Sequence, residues 1–534
     1  MSAHSAVDVL VVGAGPVGLA MACELARNGL RCRIIDKESA PASTSRALAI
    51  FPRTLEMFEM MGMSEAVLKL GYQLNGVAIY NRTGQIGHIG FSNLPSRYRF
   101  AISLPQNETE RLLTEHLANF GTVVDREMEL VALSQSADAV QAVVRNSAGL
   151  EEQFELSWLI GCDGAHSSVR HLSGLPFEGE AYPEAFLLAD AKVDGPLDHI
   201  HIHLFLTGEG LVGIFPIRGD RCRIIVDTQT PVESEPVGDL KFDEIQAIVE
   251  SRTNSVLRLT EPVWLSSFRI SHRKIPNFRA GRVFLAGDSA HIHSPAGGQG
   301  MNTGIQDACN LAWKLALVHQ KKSPDSLLDS YNEEREPVAK MVLSLTDRLT
   351  RLTTVQGALG QQLRHALLPI LTGIDLVEDR IAETVAEIGI HYRRSSIVSG
   401  KSGHTMRAGD RAPDCEFQPD NAREPLRLFE LLRKPVHHLL FFAGADAEIA
   451  SKFEDLRLEI RRDYKGQIDS FLVICGTEIG FSNVLFDWNG EAHALYEAES
   501  GAILFIRPDG YIGFKGGTKH AEALREHLAR IFTA

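Results

Sequence analysis

Residues 7–38, VDVLVVGAGPVGLAMACELARNGLRCRIIDKE, constrain this chain more than any other stretch. A β-branched apolar run enters the turn Gly13-Ala14-Gly15-Pro16-Val17-Gly18, an amphipathic stretch runs to Asn28-Gly29, and a second apolar run follows. That order predicts one βαβ unit on a buried parallel sheet. In such a turn the first glycine permits the sharp bend, the second lets backbone approach a pyrophosphate, and the third lets helix and strand pack. Pro16 belongs to the expected cofactor-binding set, and the helix N-terminus faces the diphosphate. Asp36, about twenty residues on, can accept hydrogen bonds from a ribose hydroxyl, and Lys37 beside it joins the expected cofactor-binding set. The unit predicts a dinucleotide site and leaves FAD and NAD both open.

At 534 residues the chain is too long for one ordinary core, and about three domains are expected from a prior of roughly 100–200 residues each. With 44% hydrophobic and 23% charged residues it reads as an ordinary globular protein, neither disordered nor membrane-spanning. A net charge of −14 argues against nucleic-acid or anionic-membrane partners, which require a basic footprint. The uncharged stretch Val9 to Cys23 has no basic segment before it and is broken by glycines, so it is not a secretion signal. The seven cysteines are scattered with no C-x-x-C pair and no zinc spacing, which predicts buried thiols in a reducing cytoplasm and no metal.

Along the chain, short turn-bounded strands such as HIHIHLFLT and CRIIVDT predict an antiparallel sheet over residues 181–275. GRVFLAGDSAH then returns to a buried strand before the helical GMNTGIQDACNLAWKLALVHQ. The expected organisation is α/β: a Rossmann-like first domain over 1–180 that resumes over 276–400, an inserted β-rich substrate domain, and an open α/β domain over 405–534.

Two further segments, Gly161-Cys162-Asp163-Gly164-Ala165-His166 and Gly281-Arg282-Val283-Phe284-Leu285-Ala286-Gly287-Asp288, follow the glycine turn in order. Together with PAGGQGMNTGIQDACNLAWKLA and SYNEEREP, they resemble the fingerprints of group A flavoprotein monooxygenases, the para-hydroxybenzoate hydroxylase family. The resemblance covers the first two-thirds of the chain and decides for FAD. It implies an aromatic hydroxylase using NADPH or NADH and O2 through a flavin C4a-hydroperoxide, with a small aromatic, phenolic substrate. Asp288 and Gly287 are then expected at the ribityl chain, and Asp163 and Gly164 at flavin and nicotinamide. Gly298, Gly300, Met301 and Asn302 open a helix whose unpaired N–H groups face the flavin pyrimidine. Pro295 and Arg46 are the expected catalytic residues, beside the reactive ring edge and the cofactor phosphates; Gln106 is expected to reach the ribityl chain.

The resembled family binds its nicotinamide without a second Rossmann unit, in keeping with the lack of a second G-x-G-x-x-G. The C-terminal segment, from Gly409-Asp410-Arg411-Ala412-Pro413-Asp414 to Arg507-Pro508-Asp509-Gly510, resembles the thioredoxin-like appendage of phenol and polyketide hydroxylases. Lacking a C-x-x-C pair it cannot perform dithiol chemistry, so an assembly role is expected, and a homodimer is entertained. Phe205, Phe215 and Phe268 are candidate walls of a dry cavity. His199, His201 and His203 alternate on one strand without an acidic or cysteine partner at metal spacing. Met57, Met60, Met61 and Met63 read as core filler, while Arg53, Glu110 and Arg111 read as surface or helix-face charges. Two alternatives remain: a flavoenzyme of the same fold performing epoxidation or antibiotic oxidation, and a flavin-binding regulatory protein.

Overall fold

The computed structural model describes residues 7–41, 47–228, 241–292, 298–354, 375–400, 405–420, 424–476 and 480–533. The expected βαβ unit forms the middle of a six-stranded sheet, with Val9–Val12 parallel to both Cys32–Ile35 and Trp158–Gly161. Both faces of that first strand are covered, which is why its apolar run shows no alternation. The helix Pro16–Arg27 starts with proline in its first turn, and its buried side, Leu19 to Leu25, packs against the long helix Gly300–His319. Val283–Leu285 lies beside Trp158–Gly161, so the chain returns to the first sheet as expected.

A second sheet has eight strands and is wider than the expected insert. Glu178–Asp194 and Arg258–Lys274, each of 17 residues, form its longest pair, beside one edge. Arg221–Asp227, Gly210–Arg218 and His201–Thr207 follow in antiparallel order. The sheet then takes in Gly76–Asn81 and Gly84–Gly90 at one edge and His291–Ile292 at the other. The strands of the insert are antiparallel to one another, and the parallel seam joins His201–Thr207 to Gly76–Asn81, which comes from outside the insert. One face packs on the helix Phe242–Arg252 through Ile224, Val226, Ile245 and Val249. The opposite face carries Leu204, Leu206 and Phe215 against Ala49 and Phe51 of the glycine-turn unit.

The C-terminal unit is a mixed eight-stranded sheet centred on His437–Gly444, parallel to Ile468–Ile474 and antiparallel to Ala502–Ile506. The helix Ala447–Asp463 is capped by Asp446, whose carboxylate accepts from Glu448 N and Ile449 N.

Buried ions join this unit to the rest. Arg507 donates both Nη atoms to Glu334, at 2.6 and 2.9 Å, and its Nε to Asp509 at 3.0 Å. Lys314 donates to Glu334 at 2.8 Å, and Asn310 donates to both Glu334 and Asp509. Arg53 bonds the Asp509 carbonyl and Glu56, and Glu56 also accepts from Arg411. Arg53 is fully buried and Glu110 nearly so, which overturns their reading as surface charges. Arg111 is exposed between Glu108 and Glu115, as read. The four methionines at 57, 60, 61 and 63 are core residues. Among the described residues no helix is long and apolar enough to cross a membrane.

Candidate active site

The glycine turn is packed tightly on two sides and open on the third. Gly13 adopts φ +100°, and a Cβ there would lie 2.5 Å from the Cys162 carbonyl oxygen. A Cβ on Gly18 would lie 1.9 Å from the Gly13 carbonyl oxygen. At Gly15 a Cβ would meet nothing within 4 Å, and its φ of −75° is ordinary. This open side, beside the unpaired N–H groups of a helix start, has the room and the donors that a diphosphate requires. Asp36 braces the turn: one carboxylate oxygen accepts from Ala14 N at 2.6 Å and the other from Glu38 N at 2.9 Å. Lone pairs remain on it for a ribose hydroxyl. Lys37 beside it is exposed. The residues therefore fit FAD.

The first fingerprint, the third and the long helix meet at Val17, while the second meets Gly13 and Gly18 through Cys162. A Cβ on Gly287, itself at φ +60°, would lie 2.9 Å from Val17 Cγ2, and one on Gly304 would lie 2.4 Å from the same atom. Asp163 accepts from Ser167 Oγ at 2.6 Å and from Val169 N at 3.1 Å, and burial raises its pKa. Its carboxylate braces its own loop, with Gly164 at φ +75° making the bend. Arg170 ties that loop to the third segment by donating to the Ser289 and Ala165 carbonyls. Asp288 stands exposed in the short turn Gly287–Ser289.

Gln106 accepts from Ala47 N at 3.1 Å and donates to Glu110 at 2.8 Å, which anchors the backbone just after Arg46. Arg46 and Pro295 lie outside the described residues. Gly298, at φ +64°, leads into the helix that begins at Gly300, and Met301 is buried in its first turn. Asn302 accepts from Phe51 N and donates to the carbonyls of Ala49 and Gly298, so its amide staples the helix start to the neighbouring strand.

Beneath this helix lies a buried polar group that sequence reasoning missed. Asp307 accepts from Gly287 N at 3.0 Å, is bonded by His291 Nε2 at 2.8 Å, and accepts from Arg335 Nε at 2.6 Å. Arg335 holds the Asp307 carboxyl below its usual range, and donates onward to Tyr392 and the Thr303 carbonyl. Asp307 and Arg335 sit inside the motif-like IQDACN and NEEREP, so a signal existed for both. Glu387 had none. It sits at φ +58°, accepts from Thr303 and Gln306, and burial pushes its pKa up to about 8.

A carboxyl raised above its unfolded value binds its proton more tightly when folded, so its stabilising contribution is full in acid and fades between about pH 4.5 and 8. Glu387→Gln is expected to flatten the loss of thermal stability across that window. Melting curves from pH 5 to 8.5 check this, and parallel wild-type and variant curves would refute it.

The sheet face turned toward Ala49 and Phe51 carries a cross-strand row: Phe215 opposite Arg223, Arg223 opposite Asp190, Asp190 opposite Trp264. Arg223, almost wholly buried, makes a bidentate pair with Asp190 at 2.8 Å on both arms, and its third arm reaches the Ala47 carbonyl at 3.4 Å. Phe205 points the other way, stacked on Tyr80 at 4.7 Å, so it is no cavity wall. The Phe268 side chain lies outside the described residues. His203 contacts the Asp198 carbonyl and Tyr80, and His201 the Asp198 carboxylate; these hydrogen bonds occupy both rings.

Cys475, Asp487 and His493 cluster closely enough to suggest a metal. Gly444 N, however, donates to His493 Nε2, so the ring proton sits on Nδ1, 2.7 Å from Asp487 and 3.2 Å from Cys475. A metal on Nδ1 would move that proton to face the Gly444 N–H, so the cluster is a hydrogen-bond set.

Residues 6–346 match the model of an FAD binding domain, and residues 405–534 that of the aromatic-ring hydroxylase C-terminal region. The 6-methylpretetramide 4-monooxygenase of Streptomyces rimosus is 34% identical, over 98% of this chain and 93% of its own length. The pentachlorophenol 4-monooxygenase of Sphingobium chlorophenolicum is 32% identical, over 97% and 95%. The solved anhydrotetracycline hydroxylase OxyS of Streptomyces rimosus superposes with a TM-score of 0.80 at 28% identity, covering 99% of this chain and all of that one.

Proposed function

Since this chain belongs to the FAD-dependent aromatic-ring hydroxylases, monooxygenases of aromatic substrates, we propose that it hydroxylates a phenolic ring with NADPH or NADH as reductant. The carrying observation is the row Phe215, Arg223, Asp190, Trp264, which sets a neutralised ion pair between two aromatic side chains on the sheet face turned toward Ala49 and Phe51. When bound, FAD would supply the redox chemistry, taking two electrons from the nicotinamide so that one oxygen atom of O2 enters the ring and the other leaves as water.

The residues supply position and dryness. Gly13, Gly15, Pro16 and Gly18 would take the diphosphate and Asp36 the ribose. Asp288 would hold the ribityl chain, and the helix start at Gly298–Asn302 would face the pyrimidine with its N–H groups. Leu204, Leu206, Phe215 and Trp264 keep water from the space where the ring would lie. Arg223 links that roof to the Ala47 backbone next to Arg46, so substrate and FAD-binding loop share one anchor. The C-terminal unit reads as thioredoxin-like, supported by its central strand order, and serves as a docked scaffold. Seven unpaired cysteines support a cytoplasmic setting.

The test is a panel of phenols with purified holoprotein. Nicotinamide oxidation should rise with one of them, matched by oxygen uptake and by a product one oxygen heavier. FAD-replete protein indifferent to every phenol, but active on a non-aromatic compound, would overturn the phenolic reading. Within that assay, Arg223→Gln is expected to leave nicotinamide consumption running while product per nicotinamide falls severalfold and H2O2 rises. An unchanged coupling ratio would remove Arg223 from this role.

A further inference from the structure

Glu387 is a buried carboxyl on the flank of the helix whose start would face the flavin. It follows the helix Asp375–Val385, is 2% exposed, and holds left-handed backbone at φ +58°, which a glutamate keeps only where its surroundings over-determine it. Those surroundings are the tip of the long helix. Arg53 N donates to the Ala386 carbonyl at 3.2 Å, and the Gln299 amide, one residue before Gly300–His319, lies 3.5 and 3.4 Å from the Thr384 and Val385 carbonyls. The Glu387 carboxyl then accepts from Thr303 Oγ1 at 2.9 Å and from the Gln306 amide, both in the first two turns of that helix.

The charges around Glu387 leave it without a partner ion. Arg335 faces it from the helix Asp329–Thr354 and Asp307 from the long helix, but Arg335 commits its three arms to Asp307, Tyr392 and the Thr303 carbonyl, so that pair cancels itself. His291 bonds Asp307 in turn, and Arg53 is held by Glu56 and the Asp509 carbonyl. Among the described residues Glu387 has hydrogen bonds and no ion pair. Two hydrogen bonds do not offset the loss of water around a carboxylate, and burial pushes its pKa up to about 8. Gln306 Oε1, buried and unpartnered, is the matching acceptor: a half-turn of the amide presents it to an acid proton on Glu387.

One helix pole thus serves two possible anions. The N-terminal end of Gly300–His319 favours negative charge near its first turn. The flavin, which gains negative charge when reduced, would meet the tip, and Glu387 sits on the flank. We propose that Glu387 is a positioning residue for the flavin: as a neutral acid it leaves the helix pole to the reduced cofactor, and as a carboxylate it competes for that pole, so that reduction draws a proton from solvent onto Glu387. The inference rests on the reading above that FAD lies at this helix start.

The flavin potential of the holoprotein, measured against redox dyes from about pH 6 to about pH 9.5, tests it. Wild type and Glu387→Gln are expected to agree at the acid end; above about pH 8 the wild-type potential should fall more steeply, leaving the variant easier to reduce. Glutamine keeps the neutral shape, with the Gln306 amide turned to accept from it. Thr303→Val, which removes a donor that favours the carboxylate, should move the onset of the steep fall up by about one pH unit. A wild-type ratio of flavin to protein absorbance verifies that both variants are folded. The infrared carbonyl band of protonated Glu387, assigned by its loss in Glu387→Gln, is read over the same range. A band absent at the acid end overturns the proposal and leaves the placement of FAD standing. A band that titrates while the two potentials stay parallel overturns the proposal and the placement of FAD at the helix start together. An onset that Thr303→Val leaves unmoved also overturns the proposal.

Discussion

Gly15→Leu is expected to yield a folded protein that purifies without its yellow cofactor, with FAD affinity down by about a hundredfold or more, the cost of a side chain in the diphosphate's place. Space decides the outcome. A Cβ at Gly15 meets no protein atom within 4 Å and the backbone there is unstrained, so the apo fold tolerates the change. Gly18→Ala makes the contrast: its Cβ would fall 1.9 Å from the Gly13 carbonyl oxygen, so helix and strand must part. That overpacking costs about 1–3 kcal/mol of stability. The ratio of flavin to protein absorbance, read beside apo-protein melting, separates the two effects. Stoichiometric FAD in Gly15→Leu would show that the open side of the turn is not where the diphosphate lies.

The second large effect concerns the seam between the C-terminal unit and the long helices. Arg507→Met is expected to cost about 3–5 kcal/mol, because it leaves Glu334 and Asp509 as buried carboxylates with less countercharge than they need. Arg525→Ala removes a guanidinium with equally short bonds, to Glu459 and Glu522, but at a site 41% exposed. There the loss should stay within about 1 kcal/mol. Denaturant midpoints for the pair decide the matter; similar losses in both would mean that burial at the seam adds nothing.

The legible part of this molecule is the part written locally. An apolar run, three glycines and an acid at the right distance define a βαβ unit because each feature acts on residues within a few turns of itself. Arg53 was misread for the complementary reason. The helix holding Arg53 looks charged on its outer face until Asp509 and Arg411, hundreds of residues later, come to lie on it. Phe205 and Phe215 differ by the parity of their positions on paired strands, and a period of two assigns them to opposite faces. Which face meets the cavity depends on where the helix Phe242–Arg252 packs, and no local pattern reports that. Glu387 is legible only in three dimensions, since its partners Thr303 and Gln306 belong to another helix.

Under the proposed function, the eight-stranded sheet also bears on how substrate range diverges. Its outer strands, Gly76–Asn81 and Gly84–Gly90, come from the stretch between the first two fingerprints and not from the insert. A chimera exchanging residues 178–274 alone would have to recreate the parallel seam from His201↔Gly76 to Phe205↔Tyr80, or leave a bare strand edge open to aggregation. Under the proposed function the heritable unit of specificity is therefore discontinuous. Recombination would have to carry residues 76–90 along with the insert, and a single crossover block cannot do so without also moving the second fingerprint.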